Sequence, residues 1–151
     1  MLNEHIKAEG NVFFELRNEF GEVKEAFNTN LIVNTGLSYI TSRILDQATP
    51  VITYMALGSG TTPASVNNTV LEGPMGTRSL IATAVQVATN IPNDSVQYTC
   101  NFAPGISTGG ITEAGLFNDE TAGIMVARTV FPVINKGPLD VLAIVWKITI
   151  Y

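Results

Sequence analysis

A few places in this chain carry residue types that chemistry could use: His5, the run Gly58-Ser59-Gly60-Thr61-Thr62, Cys100, Glu113, and the neighbours Asp119 and Glu120. A nucleophilic triad needs an imidazole oriented in a cleft. His5 is the one histidine, and it sits in what reads as a frayed terminus, so Ser-His and Cys-His mechanisms are not expected. Metal sites built on several histidines are excluded by the same count. The glycine run is the one loop that could cup a phosphate. It lacks the lysine of a nucleotide loop and no helical pattern follows it, so it reads as a strand-ending turn. Cys100 is single, which excludes an intrachain disulfide and a cysteine-based zinc site. Its place on an apolar strand face predicts a buried, inert thiol.

The carboxylates remain. Glu113 lies inside an apolar strand pattern, and Asp119 and Glu120 lie at the turn that follows. Glycosidase chemistry needs two carboxyl groups facing each other across a bond, and nothing in this spacing fixes such a pair. The spacing predicts instead that Glu113 pairs with Arg128 across a hairpin, or accepts a hydrogen bond from a loop amide. Asn118-Asp119-Glu120 also lacks the spaced oxygens of a calcium loop. No catalytic, cofactor-binding or metal-binding residue is assigned, and the chain is not expected to be an enzyme. An enzymatic reading survives only if Glu113 shares a cleft with a second carboxylate.

The elements that position these residues are mostly strands. Val12, Phe14 and Leu16 alternate with Phe13, Glu15 and Arg17, and Asn18-Glu19-Phe20-Gly21 turns the chain into Val23–Phe27, an N-terminal hairpin. Asn30–Gly36 is extended and runs into one short helix near residues 36–46, where Leu37, Ile40 and Ile44 fall at helical spacing. Asn34 or Thr35 is expected to cap that helix. Strands follow at 52–57, at 78–88, at 96–102 (Val96, Tyr98, Cys100 and Phe102 on one face), and on both sides of the 118–123 turn. The last strand places Leu142, Ile144, Trp146, Ile148 and Ile150 on one face, and Trp146 is expected in the core, with a subunit interface as the alternative. Residues 58–77 form a long loop rich in Gly, Thr, Asn, Ser and Pro, a length that is usually functional or mobile. Strands of this number predict a mainly β fold, an antiparallel β-sandwich of jelly-roll type. Two regions are expected: residues 1–29 as a hairpin or arm that reaches a neighbouring subunit, and residues 30–151 as the sandwich.

The chain has 151 residues, 46% hydrophobic and 14% charged, so it should fold around one core. Its formal charge of -5 and its scattered Lys and Arg argue against a nucleic-acid partner. Residues 1–10 show no apolar signal segment, and the longest apolar run, Val141–Trp146, is far short of a membrane span. No membrane partner is expected, and the chain reads as made in a cytoplasm. A weakly charged surface also suits a subunit in contact with neighbours.

Five blocks, in order, resemble small virion proteins of tailed bacteriophages: Asn30–Gly36, Ile52–Thr62, Ile111–Asn118, Met125–Lys136 and Asp140–Ile150. The resemblance covers capsid cement or decoration proteins and the N-terminal modules of tail fibres and baseplate attachments. It implies a small β-sandwich, commonly a homotrimer; separately, no cofactor is expected. A fibre module would be followed by a shaft and a tip, whereas this chain stops at Tyr151. The expectation is therefore a cement subunit that binds the major capsid protein in the virion. The alternative is a tail-fibre or baseplate attachment protein. Edge strands, the N-terminal hairpin or the C-terminal strand are expected to add to a neighbour's sheet.

Overall fold

The fold begins with a turn whose chemistry is local. In the computed structural model, which describes residues 4–151, the Asn18 side-chain oxygen accepts hydrogen bonds from the amides of Phe20 and Glu22, and Gly21 takes a φ of +81°. Asn and Gly are the residues that make such a turn cheap. The turn joins β1 (Ala8–Arg17) to β2 (Val23–Ile32) in antiparallel register, with Phe13 opposite Phe27 and their rings 4.8 Å apart.

The helix α1 (Asn34–Ile44) follows, then β3 (Tyr54–Gly58), β4 (Ser79–Leu80), β5 (Thr83–Val87), β6 (Ser95–Phe102), β7 (Gly109–Phe117), β8 (Met125–Lys136) and β9 (Val141–Ile150). The strand order is β4-β3-β7-β8-β2-β1-β9-β6-β5, and neighbouring strands are antiparallel. The two ends of that order, β4 and β5, are consecutive in the chain. Only Ile81 and Ala82 separate them: the Ile81 amide donates to the Thr53 carbonyl beside β3, and the Ala82 amide donates to the Thr99 carbonyl on β6. The sheet therefore curls on itself as a half-barrel, mainly β with one short helix.

Its concave side holds the core. Val12 and Phe14 on β1, Cys100 and Phe102 on β6, and Leu142, Ile144 and Trp146 on β9 are all buried there. Each fully buried large aliphatic or aromatic side chain contributes roughly 1.5–3 kcal/mol. Trp146 is a core residue, with its indole N–H donating to the Asn30 side-chain oxygen at 3.0 Å.

Several expectations change at this level. The segment 1–29, set apart by its sequence as an arm, supplies β1 and most of β2, apart from residues 1–3, which lie outside the described residues. Strand β1 pairs along its whole length with β9 and from Gly10 onward with β2, so it lies inside the sheet. Strand β9 lies between β1 and β6 and has no free edge to offer a neighbour. The stretch 78–88 is two short strands, because the chain crosses there from one end of the sheet to the other. The expected helix cap is also absent. Val33 precedes the helix without a side-chain cap bond, and Thr35 instead donates to the Met125 carbonyl on β8. Gly36 explains the choice, since a Cβ there would collide with the Val126 carbonyl: the helix is pressed onto β8 from its first turn.

Candidate functional site: a buried ion pair that fastens the 58–77 loop

The β-bulge between Ile111 and Glu113 re-aims strand β7 so that Glu113 points away from solvent toward the loop after β3. Glu113 is 0% exposed and Arg128, on β8, is 1% exposed. The Arg128 Nε donates to Glu113 Oε2 at 2.9 Å. Its Nη2 lies 2.8 Å from the same oxygen, a charge contact more than an aligned hydrogen bond. Three main-chain amides complete the carboxylate's surroundings: Gly60 at 3.0 Å and Gly73 at 2.6 Å donate to Oε1, and Glu72 at 3.1 Å donates to Oε2.

Both sequence expectations for Glu113 are met at once, since it pairs with Arg128 and also binds loop amides. The glycine run also finds its role. One of its amides, that of Gly60, does bind an anion, but that anion is the protein's own carboxylate, and the other two amides on it come from Glu72 and Gly73. A Cβ at Gly60 would lie 2.6 Å from Glu113 Oε1, so only glycine fits. Burial alone would push the Glu113 carboxyl up. The Gly73 amide, the Arg128 guanidinium and the amides of Glu72 and Gly60 outweigh it and hold the group below the usual carboxylate range.

Arg128 spends its remaining donors on the same loop. Its Nη1 donates to the Thr62 carbonyl and to the Asn68 side-chain oxygen, both at 3.1 Å, and Nη2 lies 3.5 Å from Glu72 Oε2. Glu72 accepts in turn from the Thr62 amide and hydroxyl, at 2.9 Å each. One buried pair thus pins the loop near residues 60, 62, 68, 72 and 73. Sequence spacing shows the pair, whereas Glu72 and Asn68 carry no signal that would have found them.

The other candidates stay apart. Asp119 and Glu120 are exposed at the β7–β8 turn, where the Arg78 guanidinium donates to the Asp119 carbonyl and stacks 3.6 Å over the Phe117 ring. Cys100 is buried, and desolvation pushes its thiol up to about 12. Lys136 is also buried and donates to the Ala103 carbonyl at 2.9 Å; desolvation lowers its affinity for the proton and nearby Asp140 partly offsets this. Among the described residues no group of three or more His, Cys, Asp or Glu is placed to hold a metal ion. No described helix is long and apolar enough to cross a membrane.

Open features lie at the surface. Strand β2 pairs with β8 only through Leu31–Arg128 and Ile32–Ala127, and then diverges from it. The gap is a cavity of about 340 Å³ whose lining includes Phe14, Ala26, Phe27, Phe131 and Ile134. Strand β5 forms one end of the sheet and is mostly exposed. In comparisons with known proteins, no family model, no curated protein and no solved structure matches the chain.

Proposed function

We propose that this protein is a structural subunit of a tailed-bacteriophage particle, a cement or decoration protein that stabilises contacts between capsomers of the major capsid protein. One observation carries the reading away from catalysis: the buried charges Glu113, Arg128 and Lys136 are all spent on fastening the chain to itself. A reagent needs a reactive group that substrate can reach, and Glu113 is sealed on every side that its hydrogen bonds define. The large apolar side chains left at the surface, such as Phe20, Phe27, Ile44 and Ile91, suit a molecule whose work is contact. The ordered sequence blocks from Asn30 to Ile150 supply the phage part of the reading. The core packed between the two halves of the curled sheet supports a β-sandwich description of jelly-roll type.

The mechanism follows from mass action. A subunit that binds the assembled lattice but not free coat protein converts its binding free energy into lattice stability. A homotrimer at a three-fold position multiplies modest contacts, because three binding surfaces share one anchored position. Imaging particles that carry labelled protein tests the assignment. Label across the shell at high copy number supports cement. Label confined to the tail or baseplate at a dozen copies or fewer would replace it with the attachment reading. Absence from particles would refute both.

A further inference from the structure

A groove opens at the end of the curled sheet where β6 begins and β9 finishes, between those strands and helix α1. Its floor belongs to the core: Tyr39, Ile52, Tyr98, Val126 and Ile148 are each 8% exposed or less. Its rims are aliphatic, with Ile44 on the helix and Ile91 on the turn before β6. The volume is about 670 Å³. Sites for small molecules span roughly 300–1,000 Å³, are lined mostly by apolar side chains, and favour the mouths of curled sheets and barrels.

Both rims are held before anything binds. The Asp94 carboxylate accepts from the amides of Thr89 and Asn90 at 2.8 Å each, from that of Ile91 at 3.1 Å, and from the Ser95 hydroxyl at 2.9 Å. Arg43 Nη1 donates to the Thr49 carbonyl at 2.9 Å and ties down the end of the helix. These charges are spent within the chain, so they do not select a charged ligand. Fixed rims also lower the ordering cost of binding. The floor, by contrast, has hydrogen-bonding capacity left over. Tyr98 lines the groove, and its hydroxyl makes no hydrogen bond with any described residue. Tyr39 lies beside it, accepting from the Ile52 amide at 3.2 Å and donating its own proton to no described residue. Burial, with Tyr39 adding to it, pushes the Tyr98 hydroxyl up, so it keeps its proton and remains a donor. Such a donor gains its bond from whatever enters the groove, which favours a molecule with an acceptor over one without.

We infer that this groove binds a neutral aliphatic molecule carrying an oxygen that accepts a hydrogen bond (an alcohol, ketone or ester), with its chain between Ile44 and Ile91 and its oxygen on the Tyr98 hydroxyl. The inference goes beyond the proposed structural role and does not depend on it. Octanol is the probe and ethylbenzene, which lacks the oxygen, is the comparison; each is titrated into the full-length protein and followed by amide NMR shifts. Tyr98→Phe removes one hydroxyl and keeps the ring, and Ile44→Asp changes a side chain that is 79% exposed, so both should fold, which circular dichroism and melting verify. Val133→Asp, on β8 and 56% exposed, is the control. The expected result is saturable octanol binding to wild type and control, with shifts along α1 and residues 91–98. Tyr98→Phe should weaken octanol by about twofold to tenfold and leave ethylbenzene unchanged, while Ile44→Asp weakens both probes. Octanol that never saturates would overturn the inference, as would a Tyr98→Phe variant that binds it as wild type does. Sedimentation without probe covers the remaining case: self-association that Ile44→Asp abolishes, in a protein blind to octanol, would give the groove to a second chain and overturn the ligand.

Discussion

Replacing Glu113 with Gln is the sharpest test of the ion pair, because the two side chains have nearly the same shape and no cavity is created. The carboxylate accepts from the Gly60, Glu72 and Gly73 amides and from Arg128 Nε, so donors surround both of its oxygens. A glutamine must turn an NH₂ toward one set. If it faces Oε1's partners, a donor meets the amides of Gly60 and Gly73; if it faces Oε2's, a donor meets the guanidinium. Either way Arg128, 1% exposed, keeps a buried positive charge with only the more distant Glu72 carboxylate left near it. Removing one partner of a buried pair costs about 3–5 kcal/mol. For a domain of this size each kcal/mol is worth about 2–4 °C, so Tm should fall on the order of 10 °C.

Urea and thermal unfolding followed by circular dichroism measure that loss, and limited proteolysis reports where it acts. Cleavage within 58–77 should accelerate in Glu113→Gln, because the amides of Gly60, Glu72 and Gly73 lose their shared acceptor. The double variant Glu113→Gln/Arg128→Met should lose clearly less than the two single losses combined, since it removes the stranded charge. A Glu113→Gln variant within about 1 kcal/mol of wild type, or single losses that simply add, would refute the claim that this pair holds the loop.

Four further outcomes follow from the same geometry. Gly36→Ala should destabilise the fold by about 1–3 kcal/mol in chemical denaturation, because overpacking against the Val126 carbonyl outweighs the gain of about 1 kcal/mol in helix propensity. Stability should hold from neutral pH down to about 5 and then fall with acid, measured by urea titration at each pH. Glu113 and Asp94 both have folded values below the unfolded carboxylate range near 4, so the unfolded chain takes up protons first, and the loss continues toward the Asp94 value of about 2. Cys100 should resist thiol reagents in the native protein and react once denaturant is added, as its buried thiol titrates only at about 12. Trp146→Phe should cost about 1–3 kcal/mol, since it removes the donor to the Asn30 side-chain oxygen, and the wild-type tryptophan emission should be blue-shifted until unfolding.

The elements legible in the sequence are those whose pattern has a local cause. The Asn18–Gly21 turn and the alternation of Val96 to Phe102 depend on neighbouring residues alone, and both stand as expected. Strand β3 is less legible: Met55, Ala56 and Leu57 are all buried in succession, because the 58–77 loop and the Val33–Phe117 cluster cover the face that alternation assigns to solvent. The break at Ile81–Ala82 follows from the curl of the whole sheet, and no window of sequence carries that information. The helix starts at Asn34, ahead of its sequence pattern, for a related reason: Thr35 meets a tertiary acceptor on β8, which displaces the local capping bond. At the site, the Glu113–Arg128 pair was legible through hairpin register. The loop amides it binds lie 40 to 53 residues away, where only the folded sheet brings them close.

The same distances explain how a chain poor in charge can hold a twenty-residue loop still. A flexible loop loses backbone entropy of about 1–2 kcal/mol per residue on ordering, which scattered surface contacts do not offset. A buried carboxylate and guanidinium placed on adjacent central strands, β7 and β8, are already fixed by the sheet, so the loop bears nearly all the ordering cost and gains charge-assisted bonds at several points. The arrangement fastens the segment at residues 60, 62, 68, 72 and 73. A surface that meets a neighbour gains affinity when it is pre-formed, because less freedom is lost on binding. On the proposed reading as a particle subunit, a loosened loop should therefore weaken attachment. Glu113→Gln tests this directly: if it folds but binds particles as tightly as wild type, the loop has no part in the contact.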